Sequence, residues 1–479
     1  ASRFELAGRE VDLDHPGLPL KRDAAGLPMH GLLTAIGGWT GERHTETEDG
    51  GVLVAGFDFA SHVLLMEAFP FPHRVELRVE LEGPELAIAT TVRAGGQGPV
   101  PIDPYIDPGF YELEKAKIFK KQWLYVGLER EVPTPGSYKV RRLDCADTSV
   151  IIMRGKDNVI RAFHNVCSHR GNTVVTETGQ ETYGRNRAGV VTCRFHGWVY
   201  DAKGDLVNVP QEDRFYSCFD RAENGLSPVH CETWAGFIFV NVDPGPVQPL
   251  GEFLGDYATH FGGFDFAACD HGFTYHTTLN CNWKVASDAF AEAYHVDTIH
   301  AGSFPNVFEG AIEDVQLFGP HRTCSVRLQV ENLPKTPIGD LANQRSRGSL
   351  AAVGGASTLP PTLNPNREAD WGFELSVLFP SVLLHVSEGI WFTHQFWPIA
   401  HDKTLWEGKY YLTKPRTYSE LWGFERAMVL QRNAWLEDTA TMEDTYRAML
   451  SGAKKVQHLQ DEEILIRHNC KVVEDYVNA

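Results

Sequence analysis

The stretches CSHRG at residues 167–171 and CRFHGW at residues 193–198 decide how this chain is read. Each supplies one cysteine and one histidine, as Cys-x-His and then Cys-x-x-His. Two thiolates and two imidazoles satisfy the tetrahedral preference of zinc. Zinc fingers, however, take both cysteines from one stretch and both histidines from another. An alternating supply suits a two-iron cluster, in which one iron takes both thiolates and the other both imidazoles. Neutral ligands in place of two anionic ones raise the potential of such a cluster. Unligated core residues are the third reading. Gly171 and Gly197 close the two motifs, where backbone must approach a compact group closely. Backbone N–H groups in such turns can also donate to bridging sulfides.

Around these motifs the chain is rich in strands from about residue 124 to 243, with SYKVRRL, SVIIMR, VIRAFHNV, GVVTCRF and AGFIFVNV as the clearest segments. Each Cys/His pair falls in a loop just after a strand. Residues 107–123 are expected to form a short helix, with Phe110, Leu113, Ile118 and Phe119 on one side. Before it, residues 1–103 alternate with the two-residue period of half-buried strands (VLVAGFDF, HRVELRVEL, LAIATTVRA) and end at the Gly/Pro-rich seam GGQGPVPIDP. Beyond residue 245 helices and strands mix: a helical stretch near 284–299, a strand pair near 373–397, and a long helix near 416–451. The segment 333–366, rich in Gly, Ala, Pro and Ser, has no periodicity and reads as a lid or a disordered loop.

A second constellation lies in NWKVASDAFAEAYHVDTIHAGS, residues 282–303. Glu292 and His295 are three apart and stack on one helical face. His300 is five further on, so the helix must bend or end near Val296–Asp297 for the two imidazoles to converge. Two histidines and a carboxylate with open positions make a non-heme iron(II) site. Two ordinary helix histidines are the plain alternative.

Taken together, CSHRG…CRFHGWVYD and NWK…YH…H resemble the Rieske non-heme iron ring-hydroxylating oxygenases, large (alpha) subunit, over about residues 104–479. The resemblance implies an α+β chain: an N-terminal helix over 104–123, an all-β Rieske [2Fe-2S] domain over 124–245, and a helix-grip (Bet v 1-like) mononuclear iron domain over 246–479. It makes Cys167 and Cys193 ligands of one cluster iron, and His169 and His196 ligands of the other. His295 and His300 become ligands of the mononuclear iron, with Asp438, in WLEDTATMED, as the third; Glu437 and Asp444 compete for that place. Glu292 stands where most relatives carry the aspartate that couples the two centres between neighbouring subunits. Asp288, Phe290 and Ala291 are candidates near the iron, and Trp371, Trp391, Phe392 and Phe396 for an aromatic-lined pocket. One departure is the 23-residue gap between His169 and Cys193, whose extra length, TETGQETYGRNRAG, reads as a surface loop. Residues 1–103 resemble more weakly the front half of an aldose 1-epimerase β-sandwich, with His30 in its PMHGL motif. The later catalytic residues of that family are missing, so no epimerase activity is expected.

The implied function is a terminal oxygenase component. It draws electrons from NAD(P)H through a reductase or ferredoxin and uses O2 to hydroxylate an organic, aromatic substrate. N- or O-demethylation by a Rieske monooxygenase is the alternative, and a sugar-binding or isomerase protein built on residues 1–103 the reading from another class. A homotrimer follows from the family, with or without a small beta subunit. Composition sets the outer limits. A net charge of −19, from 44 basic and 63 acidic residues, argues against nucleic-acid binding. No apolar run is long enough to span a membrane, and the first residues lack the pattern of a secretory signal, so a cytoplasmic location is expected. Nine cysteines, an odd number, are expected to be mostly free thiols. Lys115, Lys117, Lys120 and Lys121 form either a solvated helix face or a docking patch for an acidic protein.

Overall fold

The computed structural model describes residues 3–6, 9–12, 21–22, 28–29, 39–47, 50–68, 73–94, 98–302, 312–329, 337–338, 341, 359–368 and 370–479. The chain divides into two compact units, Ala1–Pro99 and Val100–Ala479. In the first, four antiparallel strands run in order along the chain, Thr40–Thr47, Gly50–Asp58, His73–Glu82 and Glu85–Ala94. A small core of Phe57, Phe59, Leu65 and Val75 packs against it. His30 and most of the segment 333–366 lie outside the described residues.

The second unit begins with an entry helix, Pro108–Glu114, whose first turn is capped by Asp107, with Pro108 at its start. A π-turn follows at Lys115–Phe119, closed by a bond from the Lys120 N–H to the Lys115 carbonyl at 3.0 Å. That wider turn rotates the buried face. Tyr111 and Glu114 turn inward with Ile118 and Phe119, whereas Leu113, expected on the buried side, is 45% exposed. Glu114 then serves as an internal anchor: it accepts from Trp283 Nε1 at 2.9 Å and pairs with the buried Lys284.

Two antiparallel sheets organise the Cys/His region. The larger has seven strands and includes Ser137–Leu143, Thr148–Arg154, Ile160–His164 and Pro228–Trp234. The smaller has three, Val190–Thr192, Val199–Asp201 and Leu206–Asn208. The segment between His169 and Cys193 is not a plain surface loop. Its residues Glu181–Arg185 form the edge strand of the larger sheet, paired with Ser137–Arg141. The physical reason is charge. Glu181 meets Lys139 at 2.7 Å, Arg141 at 2.9 Å and Lys409 at 3.4 Å, while Arg141 also meets Glu407 at 2.6 Å. Lys409 and Glu407 belong to the C-terminal sheet, so the inserted strand ties the two sheets together through a buried ion cluster.

The C-terminal part is a seven-stranded antiparallel sheet wrapped on the helix Tyr418–Leu450. Thr417 caps that helix by accepting from the Glu420 N–H at 3.1 Å. The strands Trp371–Leu378, Val382–Ser387, Ile390–Ala400 and Lys403–Leu412 present alternate residues to it. Gly408 lets the helix come close: a Cβ there would sit 2.6 Å from the Trp435 indole. Together these parts make an α+β architecture of an all-β domain and a helix-grip domain. Among the described residues no helix is long and apolar enough to cross a membrane.

Candidate metal centres and the cavity beside them

Cys167 follows the strand Ile160–His164, and Cys193 opens the hairpin between Val190–Thr192 and Val199–Asp201. Each loop closes on itself through its glycine. Gly171 N–H donates to the Cys167 carbonyl at 2.9 Å and Gly197 N–H to the Cys193 carbonyl at 3.0 Å. Both glycines have φ near +70° (72° and 75°), a conformation costly for any residue with a Cβ. The thiols are buried, with Tyr200 Oη 3.1 Å from Cys167 Sγ. The imidazoles reach the surface with their Nδ1 atoms 3.1 Å apart. His169 stacks on Trp198 with ring centroids 4.9 Å apart. Among the described residues, only one trio of His, Cys, Asp or Glu brings its ligand atoms within 4.8 Å of one another, and these four side chains do not contribute to it. A spread of that size, with soft donors inside and imidazoles outside, fits a two-iron group better than a single zinc ion.

That one trio is His295, His300 and Asp438. The helix carrying the NWK motif ends at Asp288, well before Val296, and a second short helix, Val296–Ile299, comes after it. Glu292 and His295 therefore meet across a turn rather than along a helical face. The early break lets His295 and His300 face each other, with ring centroids 5.3 Å apart. Asp438 projects from the long helix and places Oδ1 3.3 Å from His295 Nε2 and 3.0 Å from His300 Nε2. This buried oxygen nevertheless makes no well-formed hydrogen bond. Two nitrogens and one oxygen are aimed at a common point rather than at each other, as an ion-binding set requires.

The outer face of each imidazole is held by a carboxylate. Glu292 contacts His295 Nδ1 and also accepts from its backbone N–H at 3.1 Å. Glu437, weighed as a rival ligand, instead sits 2.7 Å from His300 Nδ1. Such partners fix the ring orientation and leave Nε2 for the metal. Asp444, the other rival, makes an exposed pair with Arg447. The Glu437 contact was missed in the sequence because it depends on Glu437 and Asp438 leaving the helix in adjacent directions toward one imidazole.

A cavity of about 290 Å³ lies against this trio, between the sheet and the long helix. Its walls include Phe290, Phe373, Phe392, Tyr410 and Trp435, with His385 and His394 among them. Phe290 and Phe392 thus line it as expected, but Ala291, Trp371, Trp391 and Phe396 do not. Trp391 and Phe396 are fully buried in the surrounding core. Asp288 lines a different cavity of about 280 Å³, which touches His295, Asp438 and Glu292 from another side. Tyr105 Oη donates to Asp288 Oδ2 at 2.6 Å, and burial pushes this carboxyl up to about 7. The lysine cluster of the entry helix is largely spent internally, since Lys115 and Lys120 pair with Asp147 and Lys121 with Asp243.

A buried thiol pair beneath two surface imidazoles, and a separate His/His/Asp set opening on an apolar cavity, are the donor sets of a protein with two iron centres. Two family models match the chain: the Rieske [2Fe-2S] domain over residues 122–226 and the ring hydroxylating alpha subunit (catalytic domain) over residues 265–479. The chain is 29% identical to the 2-aminobenzenesulfonate 2,3-dioxygenase alpha subunit of Alcaligenes sp over 341 residues, 67% of this chain and 78% of that one. It is 32% identical to a benzene 1,2-dioxygenase alpha subunit of Pseudomonas putida over 45% of this chain and 47% of that one, so it spans about half the length of that relative. In fold it is similar to a quaternary ammonium Rieske monooxygenase solved with L-carnitine, with TM-score 0.60, 22% identity, and coverage of 79% of this chain and 95% of that one. The chain belongs to the Rieske non-heme iron ring-hydroxylating oxygenases, as an alpha subunit. The family carries a Rieske [2Fe-2S] cluster and a mononuclear iron.

Proposed function

We propose that the chain is the terminal oxygenase component of a system that hydroxylates an aromatic compound, with electrons reaching it from NAD(P)H through a reductase or ferredoxin. Cys167, Cys193, His169 and His196 would hold the cluster, and His295, His300 and Asp438 the mononuclear iron. When bound, these groups supply one-electron storage and activation of O2. The chain's own residues do the rest. Phe290, Phe373, Phe392, Tyr410 and Trp435 exclude water and hold a flat ring against the His/His/Asp set. Glu292 and Glu437 keep both imidazoles turned inward. The observation that carries this reading is that aromatic-walled cavity, which shares His295, His300 and Asp438 with the metal site.

Glu292 is also the proposed link between centres. It lines both cavities and grips His295, while His169 and His196 sit at the surface, where a neighbouring subunit can reach them. A homotrimer with head-to-tail contacts meets that need. The test is incubation of the iron-loaded protein with reductase, NADH, labelled O2 and a panel of arenes. Labelled oxygen in a ring-hydroxylated product is the expected result. Fully loaded protein, with about three irons per chain for the two centres, that labels no arene would overturn the reading.

A further inference from the structure

Most of the cavity beside the trio is hydrocarbon, yet two buried imidazoles line it. They stand on adjacent antiparallel strands, Val382–Ser387 and Ile390–Ala400. His385 lies opposite Phe392 in the register, two residues from His394, so both rings share the face turned to the long helix. Stacking fixes both, His385 on Phe392 with centroids 4.2 Å apart and His394 on Phe290 at 4.1 Å. Trp435 stands edge-on to His394 at 4.8 Å.

The state of His394 is set by geometry. Trp406 Nε1–H donates to His394 Nδ1 at 3.0 Å. A nitrogen that accepts carries no proton, so the ring is neutral and its single proton is on Nε2. Among the described residues this Nε2–H has no acceptor, and neither nitrogen of His385 has a partner. A donor held in an apolar wall without a partner is costly unless something else that enters the cavity supplies one. Burial also holds the pair uncharged, pushing His385 down to about 3. Among the described residues no lysine or arginine lines the cavity to neutralise an anion.

We infer that His394 and His385 form the polar end of the substrate site, and that the favoured substrate is an uncharged aromatic ring bearing an oxygen acceptor, such as an aryl carbonyl, which accepts from His394 Nε2–H. This rests on the reading of the cavity as the oxygenase substrate site. A bare hydrocarbon would leave the donor unpaired. A quaternary ammonium would face the positive end of an N–H dipole, and a carboxylate would find no lysine or arginine among the described residues that line the cavity.

The test measures binding to the holoenzyme by quenching of tryptophan fluorescence, without turnover. Acetophenone is compared with its near-isostere α-methylstyrene, with benzoate, and with N,N,N-trimethylanilinium. Acetophenone is expected to bind about tenfold more tightly than α-methylstyrene, the value of one net hydrogen bond, and more tightly than either ion. His394→Phe should abolish that preference, and His394→Gln, which keeps an N–H, should restore part of it. Equal binding of the matched pair by the wild-type protein overturns the inference. So does tighter binding of either ion, or a preference that survives in a folded His394→Phe protein. A parallel assay with labelled O2 keeps the two readings separate: a clear binding preference without label in any product leaves the recognition site standing and removes the oxygenase assignment.

Discussion

Asp438 and Glu437 are neighbours on one helix with opposite duties. Asp438 Oδ1 is aimed between two imidazoles, whereas Glu437 holds one of them from behind. Asp438→Ala should therefore remove one iron of about three per chain and all turnover, with the visible absorbance of the cluster intact. Glu437→Gln should keep the iron but weaken its binding by about 10- to 100-fold, the usual loss when a ligand's hydrogen-bond partner is altered. Iron analysis across a chelator series separates the two; equal losses would show that Glu437 is itself a ligand. Asp288 makes a second residue-level case. Its folded pKa of about 7 lies above the ordinary 3.8 because of burial, so the folded state holds the proton more firmly than the unfolded one. Its stabilising contribution is complete below about pH 4 and is lost as the pH rises to about 7. Asp288→Asn removes that loss. Urea midpoints between pH 5 and 7.5 should fall more steeply for the wild-type protein than for the variant, and parallel slopes would mean that the carboxyl is already ionised. Much at this scale was legible in the sequence. The Cys/His spacing and the pair His295/His300 are local, and spacing reports local geometry. Glu437, His385 and His394 were not, because their roles depend on strands and helices that meet only after folding. One signal was available: His394 has the same strand parity as the aromatic Phe392, and His385 stands as far before the turn at Glu388–Gly389 as Phe392 stands after it.

At the scale of elements, the inserted strand Glu181–Arg185 shows why a polar segment need not be a loop. Its sequence, ETYGR, has no apolar alternation, and its stability comes instead from Glu181 sharing three buried cations. Hydrophobic periodicity cannot report a strand held by charge. The cluster balances Lys139, Arg141 and Lys409 against Glu131, Glu181 and Glu407. Removing Glu181 leaves three buried cations facing two carboxylates, Glu131 and Glu407. Glu181→Ala is accordingly expected to destabilise the protein by about 3 kcal/mol, and Glu181→Gln by less because it retains an acceptor. Chemical denaturation followed both by cluster absorbance and by tryptophan fluorescence reads both ends of this tie. Because the strand bridges the sheet of the Cys/His region to the C-terminal sheet, the two transitions should separate in Glu181→Ala; coincident, unshifted transitions would show that the ion cluster is dispensable. The interrupted helix at Asp288 teaches a related lesson. The i, i+5 spacing of the histidines demanded a break, but where it falls is set by packing: Trp283 and Lys284 are anchored on Glu114 and Asp288 on Tyr105. Those contacts span about 170 to 180 residues of sequence, beyond the reach of any local pattern.

Across the whole molecule, the order of parts could be read from two motifs and one seam, because each part has its own periodicity and the junction is marked by Gly and Pro. The contact boundary falls between Pro99 and Val100. The first unit has its own small core of Phe57, Phe59, Leu65 and Val75. The second contains both donor sets and both cavities. Solved proteins of the same fold align over 79% of this chain and 92–95% of their own length, about the share of the chain that the second unit makes up. A cut between the two units must nevertheless spare Val100 and Pro101, which pair with Gln457 and Val456 respectively, and Ile102, whose N–H donates to the Lys455 carbonyl at 3.0 Å. These bonds clamp the segment after the long helix, the same helix that carries Asp438. A chain starting at Gly98 should therefore keep its iron and sulfide content and its arene binding, with a melting temperature within about 3 °C of the full protein, a shift of no more than about 2 kcal/mol at this size. A chain starting at Asp103 loses the clamp and should bind iron more weakly at the His/His/Asp site while its cluster spectrum is unchanged. Metal analysis of the two shortened proteins decides the matter. Iron lost on cutting at Gly98 would make the first unit part of the oxygenase, and iron retained on cutting at Asp103 would show that the clamp does not position Asp438.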